Sequence, residues 1–145
     1  MLFRSIKVHP RDDENYYKNF FIPHGSNNIS VVKTIPLLDI FSFTDIQISV
    51  NSYSSFEAIL TGIPVVLVKR YLLSSPNYFN DGVVLYADRI EELDTTIHLA
   101  LTEKFREGFL GRREKFIKEM LGDFNPSNLK NHIKIILDNI IKSKK

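Results

Sequence analysis

The sequence predicts an α/β fold with a Rossmann-like, mainly parallel sheet of about five strands, flanking helices and a C-terminal helical pair. Three observations lead there. Apolar runs of about five residues alternate with stretches of helical periodicity. One run, Pro64-Val65-Val66-Leu67-Val68, is apolar throughout, as in a strand covered on both faces. The chain of 145 residues has a one-domain length, and no linker or internal repeat divides it.

Each element follows from local signals. Ser5 to His9 reads as a strand stopped by Pro10. The acidic turn Asp12-Asp13-Glu14 starts a helix through Tyr16, Tyr17, Phe20 and Phe21, closed by Pro23 and a polar turn at 24–28. Ile29 to Lys33 is the second strand. Pro36 opens a helix with Leu37, Leu38, Ile40 and Phe41 on its apolar face. Ile46 to Val50 alternates at period two, a helix spans Ser54 to Thr61, and the apolar fourth strand follows. A long loop, Lys69 to Gly82, leads to Val83-Val84-Leu85-Tyr86. Beyond it Leu93, Ile97, Leu101 and Phe105 recur four apart on one helical face. Phe116, Met120 and Leu121 continue in a basic helix, Pro126 breaks the chain, and a last helix runs from Leu129 to Ile141.

Composition excludes several functions. The sequence has no cysteine, so disulfides and thiolate metal sites are absent, and a reducing cytoplasm suits it. His9, His24, His98 and His132 have no metal-ligand spacing, and no metal is expected. No apolar run reaches the ~20 residues of a membrane span. The net charge of +2 divides into +4 over residues 130–145 and −2 over the rest. A basic tail on a slightly acidic body is not the stripe of a nucleic-acid binder. It is most simply a solvated helix end favoured by the helix dipole.

In parallel sheets ligands sit at the carboxyl ends of the strands. The segment Asn51-Ser52-Tyr53-Ser54-Ser55-Phe56-Glu57 begins there. Its structural reading is a capping box, Ser54 and Glu57 reciprocating across the first turn, with Gly62 and Pro64 closing the helix. Its functional reading is a nucleotide site. Helix amides and the Ser54 and Ser55 hydroxyls would hold phosphate, and the Glu57 carboxylate would hold ribose hydroxyls. The two readings compete for Glu57. His9 ends the first strand and could donate to phosphate, or simply finish that strand. Lys69 and Arg70 could reach the same anion, although solvated charges are the simpler reading.

In order and placement, His9-Pro10 followed by Ser54-Ser55 within FSFTDIQISVNSYSSFEAILTGIPVVLV resembles the C-terminal, nucleotide-binding half of GT-B-fold glycosyltransferases. The nearest flavour is the bacterial surface-polysaccharide group: teichoic-acid and capsule polymerases, and sialyltransferases with a His-Pro and a serine-pair motif. The resemblance spans about residues 5–140. It implies a UDP-, CMP- or CDP-linked sugar donor as substrate and no tightly bound cofactor. His9, Ser54 and Ser55 would then lie on the donor phosphates, His9 stabilising the departing one, with Glu57 on the ribose. It also implies a glycan or lipid-linked acceptor held by an N-terminal domain, at the cytoplasmic side or the inner face of a membrane. In the family the His-Pro strand is the second of its domain. The sequence would then lack the first strand and the N-terminal half, and would be catalytically incomplete alone. Its sheet would close without the first strand or borrow one from another copy. An epimerase-like fragment is a further alternative, although nucleotide-sugar 2-epimerases carry a glycine pair where this sequence has Ser54-Ser55. A non-catalytic α/β binding or regulatory module is the other.

Overall fold

A computed structural model describes residues 4–21, 28–50, 52–69 and 82–122. The turn at 24–27, Arg70 and the helix expected over Leu129–Ile141 fall outside them. Among the described residues the fold is α/β with every strand pair parallel, and the strands pair in two sheets, of two and three strands, where a single sheet of about five was expected. The chain divides accordingly into two units, Met1–Thr44 and Asp45–Lys145.

The first unit runs β1 (Arg4–Lys7), α1 (Glu14–Phe21), β2 (Ile29–Val32) and α2 (Leu37–Phe41). β1 and β2 pair with Ile6 opposite Val31, and the ladder extends to Val8, whose N–H donates to the Val32 carbonyl at 2.9 Å. The acidic turn before α1 behaves as its sequence indicates. Asp13 Oδ1 accepts the Asn15 amide at 2.9 Å, and Glu14 pairs with Lys18 at 3.2 Å one turn on. The Tyr17 hydroxyl donates to Asp12 at 3.1 Å, and that hydrogen bond and the carboxylate's charge hold the phenol above its ordinary pKa. The apolar face of α2 is narrower than its sequence suggests: Ile40 and Phe41 are buried, whereas Leu38 is exposed.

The second unit runs β3 (Gln47–Ser49), α3 (Ser54–Thr61), β4 (Val65–Val68), β5 (Val84–Ala87), a 3₁₀ turn (Ile90–Glu92), α4 (Leu93–Leu101) and α5 (Glu103–Leu121). The strand order is β3-β4-β5. All four residues of central β4 are buried, as its unbroken apolar run requires. Val66, Ala87 and Ala100 form a core cluster, with Ile46, Leu85, Leu93 and Phe105 packed around it.

The face expected to run continuously from Leu93 to Phe105 belongs to two helices. Thr102 is extended (φ −66°, ψ 144°), and its Oγ1 accepts the Phe105 amide at 3.2 Å, so it ends α4 and caps α5. The α3 terminus, in contrast, is the one its sequence indicates. Gly62 is left-handed at φ 89°; its N–H donates to Ile59 and the Ile63 N–H donates to Ala58, the paired bonds of a Schellman motif. A Cβ added at Gly62 would meet nothing within 4 Å, so the cost of a side chain is that of the backbone alone. Gly62→Ala is therefore expected to lose about 1 kcal/mol in urea unfolding, and Gly62→Asn less.

Two arginines of α5 tie the second unit together. Arg113 Nε donates to the Ile59 carbonyl at 2.7 Å, and its Nη2 donates to the Leu60 carbonyl, which closes the last turn of α3. Arg112 Nε donates to the Gly82 carbonyl at 2.8 Å just before β5, and its guanidinium lies 5.0 Å from the Phe105 ring centroid. Phe56 of α3 meets Phe116 of α5 edge-on at 6.0 Å. These contacts fix α3 against α5.

Candidate functional site

The three strands of the second unit are parallel, so their carboxyl ends share one edge, and the chain leaving β3 turns there into α3. The expected capping box does not form. Tyr53 is already helical (φ −59°, ψ −23°) and caps nothing with its side chain. Ser52 takes that role two residues upstream of Ser54. Its Oγ accepts the Ser54 amide at 3.2 Å and its carbonyl accepts the Ser55 amide at 3.0 Å. The Tyr53 carbonyl takes the amides of Phe56 at 3.0 Å and Glu57 at 3.4 Å. Because one more residue joins the helical turn, the Glu57 carboxylate cannot reciprocate. It is exposed and has no partner among the described residues.

A chain of side-chain hydrogen bonds runs beside this turn. Gln47 Nε2 donates to Ser54 Oγ at 2.7 Å, and Ser54 Oγ lies 2.8 Å from Ser52 Oγ. The proton count has a simple outcome. The two hydroxyls carry two protons but share one bond, and every other neighbour in the chain is a donor. Whichever hydroxyl donates to the other, one O–H remains for an outside acceptor. The arrangement suits an anion or a phosphate oxygen.

Ser55 stands apart from this pair. It is fully buried and its Oγ has no hydrogen-bond partner among the described residues; the Gln47 Oε1 atom is also buried without one among them. A ligand at the helix tip meets Ser52 and Ser54 before it meets Ser55. Unpaired buried polar atoms are uncommon, and two of them border one turn here.

Along the same edge, Lys69 leaves β4 and Asp88 leaves β5. Their strands are in register, with Val68 opposite Ala87, and the two side chains form an ion pair at 3.0 Å. The ammonium also sits 4.4 Å from the centroid of the Tyr86 ring. Burial raises the Tyr86 pKa while the Lys69 charge opposes that rise, so the phenol stays protonated. Arg89, one residue further, pairs with Glu92 at 2.8 Å and holds that carboxyl below its ordinary range.

His9 lies in the other unit, exposed just beyond β1. Its Nδ1 accepts the Arg11 amide at 3.2 Å, which leaves the proton of the neutral ring on Nε2, available to an acceptor. Ser54, Ser55 and Glu57 share one helical turn by construction, and Ser54 alone of the three belongs to the hydroxyl chain. Sequence reading gave no role to Gln47, Ser52 or Asp88. Ser52, two residues before the pair, carried a usable signal; Gln47 joins the site through a contact seven residues along the chain, and Asp88 only through strand pairing. Among the described residues no group of three His, Asp or Glu side chains could hold a metal ion, and no helix is long and apolar enough to cross a membrane.

A scan of protein-family models gives no match to this chain, and a search among curated proteins gives none.

Proposed function

We propose that the turn between β3 and α3 binds the phosphate of a nucleotide-sugar donor, and that the chain is the donor-binding part of a GT-B-like glycosyltransferase for a bacterial surface polysaccharide. The observation that carries this reading is the hydroxyl pair at the carboxyl edge of the parallel β3-β4-β5 sheet: Ser54 Oγ lies 2.8 Å from Ser52 Oγ, and one of their two protons is left for an outside acceptor.

On this reading the spare Ser52/Ser54 hydroxyl proton meets a phosphate oxygen. The positive end of α3 adds a favourable potential. The exposed Glu57 carboxylate is free to accept from ribose hydroxyls. In the reaction, sugar transfer breaks the bond to the donor phosphate, and donors aimed at the departing oxygen stabilise its growing charge, commonly by several kcal/mol. The base and the acceptor site belong, by resemblance, to the N-terminal domain.

A second reading has its own support. The amides of Ser54 to Glu57 already have acceptors, and Ser55 is closed to solvent. Both features fit a helix tip built for stability in a non-catalytic α/β module.

Calorimetric titration with UDP, CMP and CDP separates the two. The first reading expects one of them to bind, and at ~100 times its dissociation constant to raise stability by about 2.7 kcal/mol. Ser54→Ala is expected to weaken that binding about tenfold while leaving the melting temperature of the free protein within a few degrees. No binding by any nucleotide favours the second reading.

A further inference from the structure

We infer that Lys69 is the charged arm of this phosphate site and that Asp88 holds it in reserve when no ligand is bound. The inference rests on the nucleotide reading and adds to it a residue pair that competes with the ligand.

The first turn of α3 has hydroxyls but no cation. Its amides from Ser54 to Glu57 are already engaged, and Ser55 Oγ is buried and unpartnered. A diphosphate group carries two or more negative charges, and holding it in that turn calls for a full positive charge from a neighbour. The strand adjacent to β3 is β4, and the residue leaving β4 at the shared carboxyl edge is Lys69. Neighbouring strands lie ~4.8 Å apart, a distance that a flexible four-carbon stem can cross. Arg89 leaves β5, one strand further away, and is paired with Glu92.

Lys69 is held on the side away from β3. Asp88 draws its ammonium toward β5 at 3.0 Å, and the Tyr86 ring lies beneath it at 4.4 Å. The ion pair is about half exposed on both sides, so it is weak enough to exchange for a stronger partner. A diphosphate group at the Ser52/Ser54 turn carries more charge than one carboxylate and can take the ammonium over. Asp88 is then an antagonist of binding, although it touches no ligand.

The opposing variants test this. The probe is inorganic pyrophosphate, titrated calorimetrically into the full chain. Lys69→Met, which keeps the apolar stem over Tyr86, is expected to weaken binding about tenfold. Lys69→Arg should restore most of it. Asp88→Asn should tighten binding roughly threefold, the reverse of what a damaged fold would give. An unchanged affinity in Lys69→Met, weaker binding in Asp88→Asn, or no pyrophosphate binding by the wild type overturns the inference. Nucleotide titration of the wild type is scored separately. UDP, CMP or CDP binding that is indifferent to Lys69 leaves the nucleotide reading standing without this arm. Lys69-dependent pyrophosphate binding with no response to any nucleotide leaves the arm standing without a nucleotide.

Discussion

Phe109→Ala is expected to remove about 3–5 kcal/mol of stability, the largest single effect among the described residues. Phe109 is 1% exposed and the largest of the fully buried side chains. Its ring stacks on Phe105 at 6.1 Å, and Phe105 in turn packs on the core cluster of β4, β5 and α4. Truncation to alanine forfeits the transfer of a whole aromatic ring and leaves a cavity that a helix pinned at Arg112 and Arg113 cannot close by moving inward. For a domain with roughly 5–15 kcal/mol of total stability, that loss takes a large share. Urea unfolding of Phe109→Ala beside Phe109→Leu checks it. The leucine variant should recover more than half of the loss, and a cost below about 1 kcal/mol for alanine would contradict the packing described.

Arg113→Met is expected to cost about 2 kcal/mol, second only to that. Methionine keeps an apolar stem of similar reach, so the change isolates the guanidinium. The Leu60 carbonyl of the last α3 turn loses this donor, and the Ile59 carbonyl keeps only the Gly62 N–H. Ile59 itself is fully buried, so water replaces its donor poorly. Hydrogen bonds from a charged donor contribute about 1.5–3 kcal/mol each, and the two here share one side chain and are not additive. Arg113→Lys should recover only part, since an ammonium cannot present two coplanar donors. Equal stability of Arg113→Met and wild type would mean that solvent already serves those carbonyls.

What could be read in the sequence follows the range of the forces involved. β4 was legible because both of its faces are covered, which writes burial into consecutive apolar residues. The α3 C-terminus was legible because Gly62 and Pro64 act within one turn. The parallel sense of the strands followed from their alternation with helices. The division into a pair and a triplet did not. Pairing joins β1 to β2 and β3 to β4 across tens of residues, and no local pattern at Ile6 or Ile48 states which neighbour is present.

At the site the failures are smaller and equally physical. Ser54 and Ser52 are both competent caps, and the choice between them turned on whether Tyr53 adopts helical dihedrals, a single-residue decision. Thr102 could have been recognised as a cap by the acidic Glu103 after it, but the four-residue apolar spacing across it was the stronger signal. The Lys69–Asp88 pair was invisible because it requires the register of β4 against β5. Gln47 looked like the polar member of an alternating strand; its amide is instead the start of the hydroxyl chain.

The central claim is that the β3–α3 turn takes a nucleotide phosphate. Amide-resolved NMR of the ¹⁵N-labelled chain, titrated with CMP, CDP and UDP, tests it most directly. The account predicts saturable shifts for one of the three, largest at Ser52 to Phe56 and spreading to Lys69 and Asp88, and strongly reduced in Ser54→Ala. Shifts that are absent at millimolar nucleotide, or that appear elsewhere and are indifferent to Ser54→Ala, would contradict it.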